Sequence, residues 1–249
     1  MRSMRLLVAA MVAVLGISAV AYAQTVENQY TVGGSVPAGG SKSKPKPGGF
    51  NFQFGITAPG GVVPKVIQTY DLFVEGGRVN TKVIPKGCTA AQMERVQSDR
   101  VCPKGTMIGS GRLKVLAGTT GQPTSSAVAC DLPVKLYNAG NNKATIWIQV
   151  GQGDCVAALT RGIEARWVKS ANGTSLRFTV PPDLRKILNL DIVVTGVNVT
   201  FKKITRKIKG KTVGYFESVG CKDRKRDLIG KFTDEAGVSG TAKKTLARC

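Results

Sequence analysis

Two sets of side chains in this sequence could do chemistry: a dense group of cations and a scattered group of carboxylates. The cations gather late, as Lys202, Lys203, Arg206, Lys207, Lys209 and Lys211, then Lys222, Arg224, Lys225 and Arg226, with Lys243, Lys244 and Arg248 beyond. Between positions 202 and 226 the only opposing charges are Glu217 and Asp223. Like charges at this density repel one another. A polyanion that neutralises them releases counterions, so such a patch binds with steep salt dependence. The competing reading is a solvated, solubilising surface with no partner. Gly210-Lys211-Thr212 resembles the tail of a phosphate-binding loop, but that pattern needs glycine where Thr205 stands and a helix where Val213 to Val219 reads as a strand. It reads instead as a basic hairpin turn.

The carboxylates Asp71, Glu75, Asp131, Asp154, Glu164, Asp191 and Glu217 sit in or beside expected strands. Two acids flanking one glycosidic bond would make a glycan hydrolase, and a secreted carboxylate-dependent enzyme of this kind is the alternative function. No two of them are spaced to aim at one bond. The chain has no histidine, which excludes Ser-His-Asp catalysis, His-ligated zinc and imidazole proton shuttling. Asp223 and Asp227 alternate with Lys222, Arg224, Lys225 and Arg226, a setting hostile to a divalent cation. No metal and no cofactor are expected. Nucleic acid is disfavoured as the anionic partner, because the aromatic-basic interleaving of an RNA-recognition strand is absent, as are helix-turn-helix and zinc-finger patterns.

The chain that must position these groups opens with a leader. Arg2 and Arg5, the apolar run Leu6 to Val20 and the small-x-small site Ala21-Tyr22-Ala23 form a signal peptide over residues 1–23, cleaved before Gln24. The run, about 15 residues, is shorter than the ~20 that a spanning helix needs. The product is expected to be secreted or associated with the cell envelope. All six cysteines follow the leader, and an even number in an exported chain reads as disulfides. Six cysteines allow about 15 pairings. Nearest neighbours in order are favoured, because each pair brackets a compact unit: Cys88 with Cys102, Cys130 with Cys155, and Cys221 with Cys249. No C-x-x-C pair is present to suggest redox catalysis.

Residues 24–49, rich in Gly, Pro and Ser around Lys42, Lys44 and Lys46, read as a flexible tether. Order is expected over 50–249, opening with the alternating Phe50, Phe52 and Phe54. Val66, Tyr70, Leu72 and Val74 share a parity, and Gly76-Gly77 predicts a hairpin turn into Arg78 to Ile84. Thr89 can cap a short helix over Ala90 to Val96. The trios Leu132, Val134, Leu136 and Leu176, Phe178, Val180 alternate cleanly, as do Ile146, Ile148 and Val150. The longest run, Leu190 to Lys207, changes phase at Thr195-Gly196, which predicts a bulge. Roughly ten short strands with frequent turn signals specify an all-β fold. The expected architecture is an antiparallel β-sandwich or barrel-like meander with one short helix between Cys88 and Cys102. A sub-boundary could fall near residue 181.

Cys88 ahead of a short helix, the run Cys102-Pro103-Lys104-Gly105-Thr106-Met107-Ile108-Gly109-Ser110-Gly111, and the closing Gly214-Tyr215-Phe216-Glu217-Ser218-Val219-Gly220-Cys221 with a final Cys249 resemble secreted, Cys-containing β proteins of actinobacteria. That resemblance covers roughly Thr69 to Cys249. It implies export and a β domain and assigns no activity. The expected function is therefore an exported, non-enzymatic β protein of structural or interaction type. Its basic C-terminal region would bind anionic cell-wall polymer, polysaccharide or lipid headgroups.

Overall fold

The computed structural model describes residues 27–249 except Pro85; the signal peptide expected over 1–23 lies outside the described residues. The strands run β1 (Gln29–Ser35), β2 (Lys46–Pro47), β3 (Phe50–Thr57), β4 (Ile67–Glu75), β5 (Gly77–Val79) and β6 (Met107–Gly118). Then come β7 (Val128–Gly140), β8 (Lys143–Val150), β9 (Leu159–Lys169), β10 (Gly173–Thr179), β11 (Lys186–Ile187) and β12 (Leu190–Phe201). The last are β13 (Thr205–Ile208), β14 (Lys211–Gly214), β15 (Phe216–Ser218), β16 (Arg226–Asp234) and β17 (Ser239–Leu246). Among the described residues two α-helical segments interrupt them, α1 (Ala90–Val96) and α2 (Pro182–Arg185).

Eleven strands form one antiparallel path, β1-β3-β12-β6-β7-β8-β9-β10-β4-β16-β17, and its two edges approach to make a nearly closed barrel. The all-β, barrel-like expectation is what the chain adopts. Residue alternation explains it: along β3, Phe50, Phe52, Phe54 and Ile56 are buried inward while Asn51, Gln53 and Gly55 are not. On β7, Leu132, Val134 and Leu136 point in, and Asp131, Pro133 and Lys135 face out or lie partly covered. The phase change on β12 is a bulge between Val194 and Gly196 in its ladder with β6. It keeps apolar side chains inward on both sides of the break. Strands from before and after residue 181 interleave in this sheet, with β12 lying between β3 and β6.

We call the end that carries Phe50, Phe201 and Trp167 the upper end, and the end that carries Thr57, Leu190 and Leu159 the lower. A small sheet, β2-β15-β5, covers the upper end. Phe216 of β15 lies 4.2 Å from Phe50, which itself stacks on Phe201 at 4.2 Å. Trp167 Nε1 donates to the Tyr215 hydroxyl at 3.0 Å, which ties the cap to the barrel wall.

Two expectations need correction. Part of the segment read as a tether is a barrel strand: β1 pairs along β3 with Tyr30 opposite Ile56 and Val32 opposite Phe54. Tyr30 and Val32 supply enough apolar surface to dock, and the Tyr30 ring stacks on Phe232 at 4.8 Å. Gly76-Gly77 does not close a hairpin. Gly76 adopts φ 58 and turns the chain out of the barrel, so that β5 pairs with β15 instead of β4.

The three disulfides join Cys88 to Cys102, Cys130 to Cys155 and Cys221 to Cys249, the nearest-neighbour pattern expected from spacing. Each closes a loop worth about 3 kcal/mol in the chain-entropy account. Among the described residues no helix is long and apolar enough to cross a membrane.

Candidate functional site

The first basic cluster forms a hairpin that leaves the barrel at its upper end. β13 and β14 pair from Thr205 opposite Gly214 to Ile208 opposite Lys211, around the turn Lys209-Gly210. Ile204 and Val213 anchor its root on the core. A buried carboxylate fixes the angle. Glu217, 2% exposed, accepts from the Gly214 N–H at 2.9 Å and from Arg78 Nε and Nη2 at 2.9 and 2.6 Å. Lys202, Lys203, Arg206, Lys207, Lys209 and Lys211 are all exposed, and none makes an ion pair among the described residues.

The topology extends this cluster with residues from the segment read as a tether. Pro47 packs against Gly214 at the hairpin root, which brings Lys46 beside the basic hairpin. The chain preceding it, Gly40 to Lys42, lies against Gly220 and helps line a cleft of about 560 Å³. Lys42, Arg78, Lys169 and Lys222 border that cleft together with Glu75. Lys222, Arg224 and Lys225 follow on an exposed turn, where Lys225 N–H donates to Asp223 Oδ1 at 3.0 Å. Clusters separated by more than 150 residues thus share one end of the molecule. The alternation of Lys42, Lys44 and Lys46 was visible in the sequence; their proximity to Lys222 needed the fold.

Arg226 is corrected out of the surface set. Its side chain is fully buried at the start of β16. Nη2 donates to Ser218 Oγ at 2.7 Å and lies 3.1 Å from Cys249 Sγ, while Nε and Nη1 have no partner among the described residues. Burial pulls this guanidinium down to about 10, against the neighbouring charge of Glu75, which favours the protonated form. It braces the junction of cap, barrel and terminal disulfide and is not available to a macromolecule. Of the cations beyond it, Lys243 pairs with Asp227 at 2.7 Å.

The carboxylates are spread along the barrel wall and its loops, most of them bound to cations or backbone. Asp71 pairs with Arg177, Asp131 with Arg112 and Glu164 with Lys143. Asp191 accepts from the Thr120 N–H and hydroxyl, Asp154 from the Gly151 N–H, and Glu75 from the Asp227 N–H. The Lys143 hydrogen bond, outweighing burial, holds the Glu164 carboxyl below the usual range, with the charges of Lys143 and Arg166 acting in the same direction. No protein-family model matches the chain, and no curated protein or solved structure is found to be similar to it.

Proposed function

We propose that this chain is an exported, non-enzymatic interaction protein whose upper barrel end binds an anionic polymer of the cell envelope. The observation that carries the reading is the hairpin 202–211, which holds on a rigid root six exposed cations that make no ion pair among the described residues. Lys46, Lys42 and Lys222 to Lys225 continue the same field. A self-repelling field of this kind is relieved when a polyanion neutralises it. Export is supported by the leader pattern and by three disulfides, which persist in oxidising compartments.

Cosedimentation with isolated cell walls over a salt series is the test. Binding should fall steeply with log salt. Changing Lys202, Lys203, Arg206 and Lys207 to Gln should reduce the slope by about 3, at roughly 0.7 to 0.9 per lost contact. Binding that ignores salt, or that survives the four changes, would leave the cluster as solubilising charge. Preference for anionic vesicles over wall polymer would redirect the reading to lipid headgroups.

A further inference from the structure

The barrel interior is a second candidate site, independent of the charged end. Around eight strands enclose a space that side chains can fill or that holds one small ligand, and the diameter grows with strand number. Eleven strands therefore leave space even when many inward side chains are large. An apolar cavity of about 130 Å³ runs inside this barrel, from Phe50, Phe201 and Trp167 above to Leu159, Val180 and Leu184 below. On β12 alone the lining reaches from Ile192 to Phe201, so the space is long and narrow. Apolar cavities of this size stay dry and take up apolar molecules.

One polar atom on the lining lacks a partner. The Tyr70 hydroxyl is buried, on a side chain 1% exposed and stacked against Phe178 at 4.8 Å, and among the described residues it has no hydrogen-bond partner. The Trp167 N–H, by contrast, is satisfied by Tyr215. A buried hydroxyl without a partner is unfavourable, and an acceptor oxygen on a bound molecule would supply one.

The two ends are closed differently. The upper end carries the three-stranded cap and the Phe50, Phe201 and Phe216 cluster. At the lower end a short segment does the work: α2 places Leu184 on the lining, and Leu188 and Asn189 then turn through left-handed backbone conformations. Ion pairs from Arg161 to Asp183 and from Arg185 to Glu235 hold it; both acids are half-exposed, while the Arg185 side chain is largely buried. Leu188, Val238 and Val128, which are 71, 60 and 48% exposed, lie on turns or strand starts at this same end.

We infer that the barrel lumen binds one aliphatic chain bearing a hydrogen-bond-accepting oxygen, admitted at the lower end past Leu184. The narrow, long lining selects a straight chain, and Tyr70, in the lower half, donates to its oxygen. The chain end then reaches towards Trp167. Displacing Leu184 enlarges the space for the part of the ligand nearest the mouth.

The chain has two tryptophans, and Trp147 lies outside the barrel, packed with Cys88, Met93 and Tyr137. Trp147→Phe therefore leaves Trp167 as the sole indole, viewing the lumen. The probes are 12-bromododecanoate and 2-bromododecanoate, titrated at high salt to suppress capture of the carboxylate by the cationic end. We expect saturable quenching at one molecule per chain, at least fivefold stronger for the 12-bromo isomer. Leu184→Ala should speed binding about tenfold, and Tyr70→Phe should weaken dodecanoate binding five- to tenfold. Filling the lumen with Val134→Phe should abolish quenching in protein that still melts cooperatively. If that variant does not fold, the isomer comparison decides by itself. Absent quenching, equal quenching by the two isomers, or quenching that persists in a folded Val134→Phe protein would overturn the site. Unchanged affinity in Tyr70→Phe would remove the acceptor oxygen from the ligand's description.

Discussion

Arg226 shows how far a side chain's role depends on where the fold puts it. In sequence it is one more cation in a run; in the molecule it is a buried charge with two of its nitrogens lacking partners. A buried ion that is only partly satisfied loses hydration which its contacts do not return, and apolar replacements of similar size are often neutral or stabilising. Arg226→Met replaces the guanidinium with a flexible apolar side chain of comparable volume and removes the charge. Ser218 Oγ would not be stranded, since it donates to the Gly39 carbonyl at 2.5 Å. We expect a stabilisation of about 1 kcal/mol, read as a higher urea midpoint at pH 7. A loss of stability would mean that the guanidinium holds the cap through its contacts with Ser218 and the terminal disulfide more strongly than its desolvation opposes them. The contrast is Glu217, whose two oxygens are met by Arg78 and the Gly214 N–H, so that the same degree of burial is compensated.

At the scale of elements, the excursion from Cys88 to Cys102 is held on the outer barrel wall by three devices. The disulfide closes it, Thr89 and Gln92 form a reciprocal capping box, and Met93 is fully buried. Beyond α1, Asp99 accepts from Lys135 Nζ at 2.5 Å and from the Tyr137 hydroxyl at 2.6 Å. Burial pushes the Asp99 carboxyl up, but these hydrogen bonds and the Lys135 charge together outweigh it and leave it below the ordinary value. Because the folded value is the lower one, the contribution is present above about pH 4 and is lost as pH falls through the folded value. Asp99→Asn should therefore flatten the fall in thermal midpoint below about pH 4. The residual slope belongs to Glu164 and Asp227, whose carboxyls are shifted in the same direction. An unchanged acid profile would show that the bond to Lys135 contributes nothing in solution. This helix was legible in the sequence because a cap, a run of helix formers and two cysteines coincide. β1 was not, since its glycines and the prolines that follow mask a strand whose docking depends on Tyr30 and Val32. Alternation identified which residues of β7, β8, β10 and β12 share a face. It could not say whether the space they enclose is filled, because that depends on how many strands close the ring.

The whole molecule is a barrel whose basic hairpin lies at one end and whose apolar interior is bordered at the other by Leu184 of α2, and both features depend on the ring staying shut. Its weakest line is the seam. Among the described residues no backbone ladder joins β1 to β17, so two strand edges lie side by side. Unpaired edges invite foreign strands unless something covers them. Here side chains do: the Tyr30 ring lies over Gly240, where any Cβ would collide with it, and stacks on Phe232 of β16. Phe232 in turn meets Phe54 at 5.2 Å and Tyr70 at 5.8 Å, so the seam is pinned to the same aromatic cluster that borders the lumen. Tyr30→Ala removes that pin without touching a ladder. It should destabilise the protein by about 2 kcal/mol, less than a fully buried aromatic because Tyr30 is only half-buried. Its signature should be local: faster amide exchange in β1 and β17 at temperatures where β7 and β8 remain protected. Uniform loss of protection over all strands would mean that the barrel opens only by global unfolding. In that case the seam is no weaker than the hydrogen-bonded wall opposite.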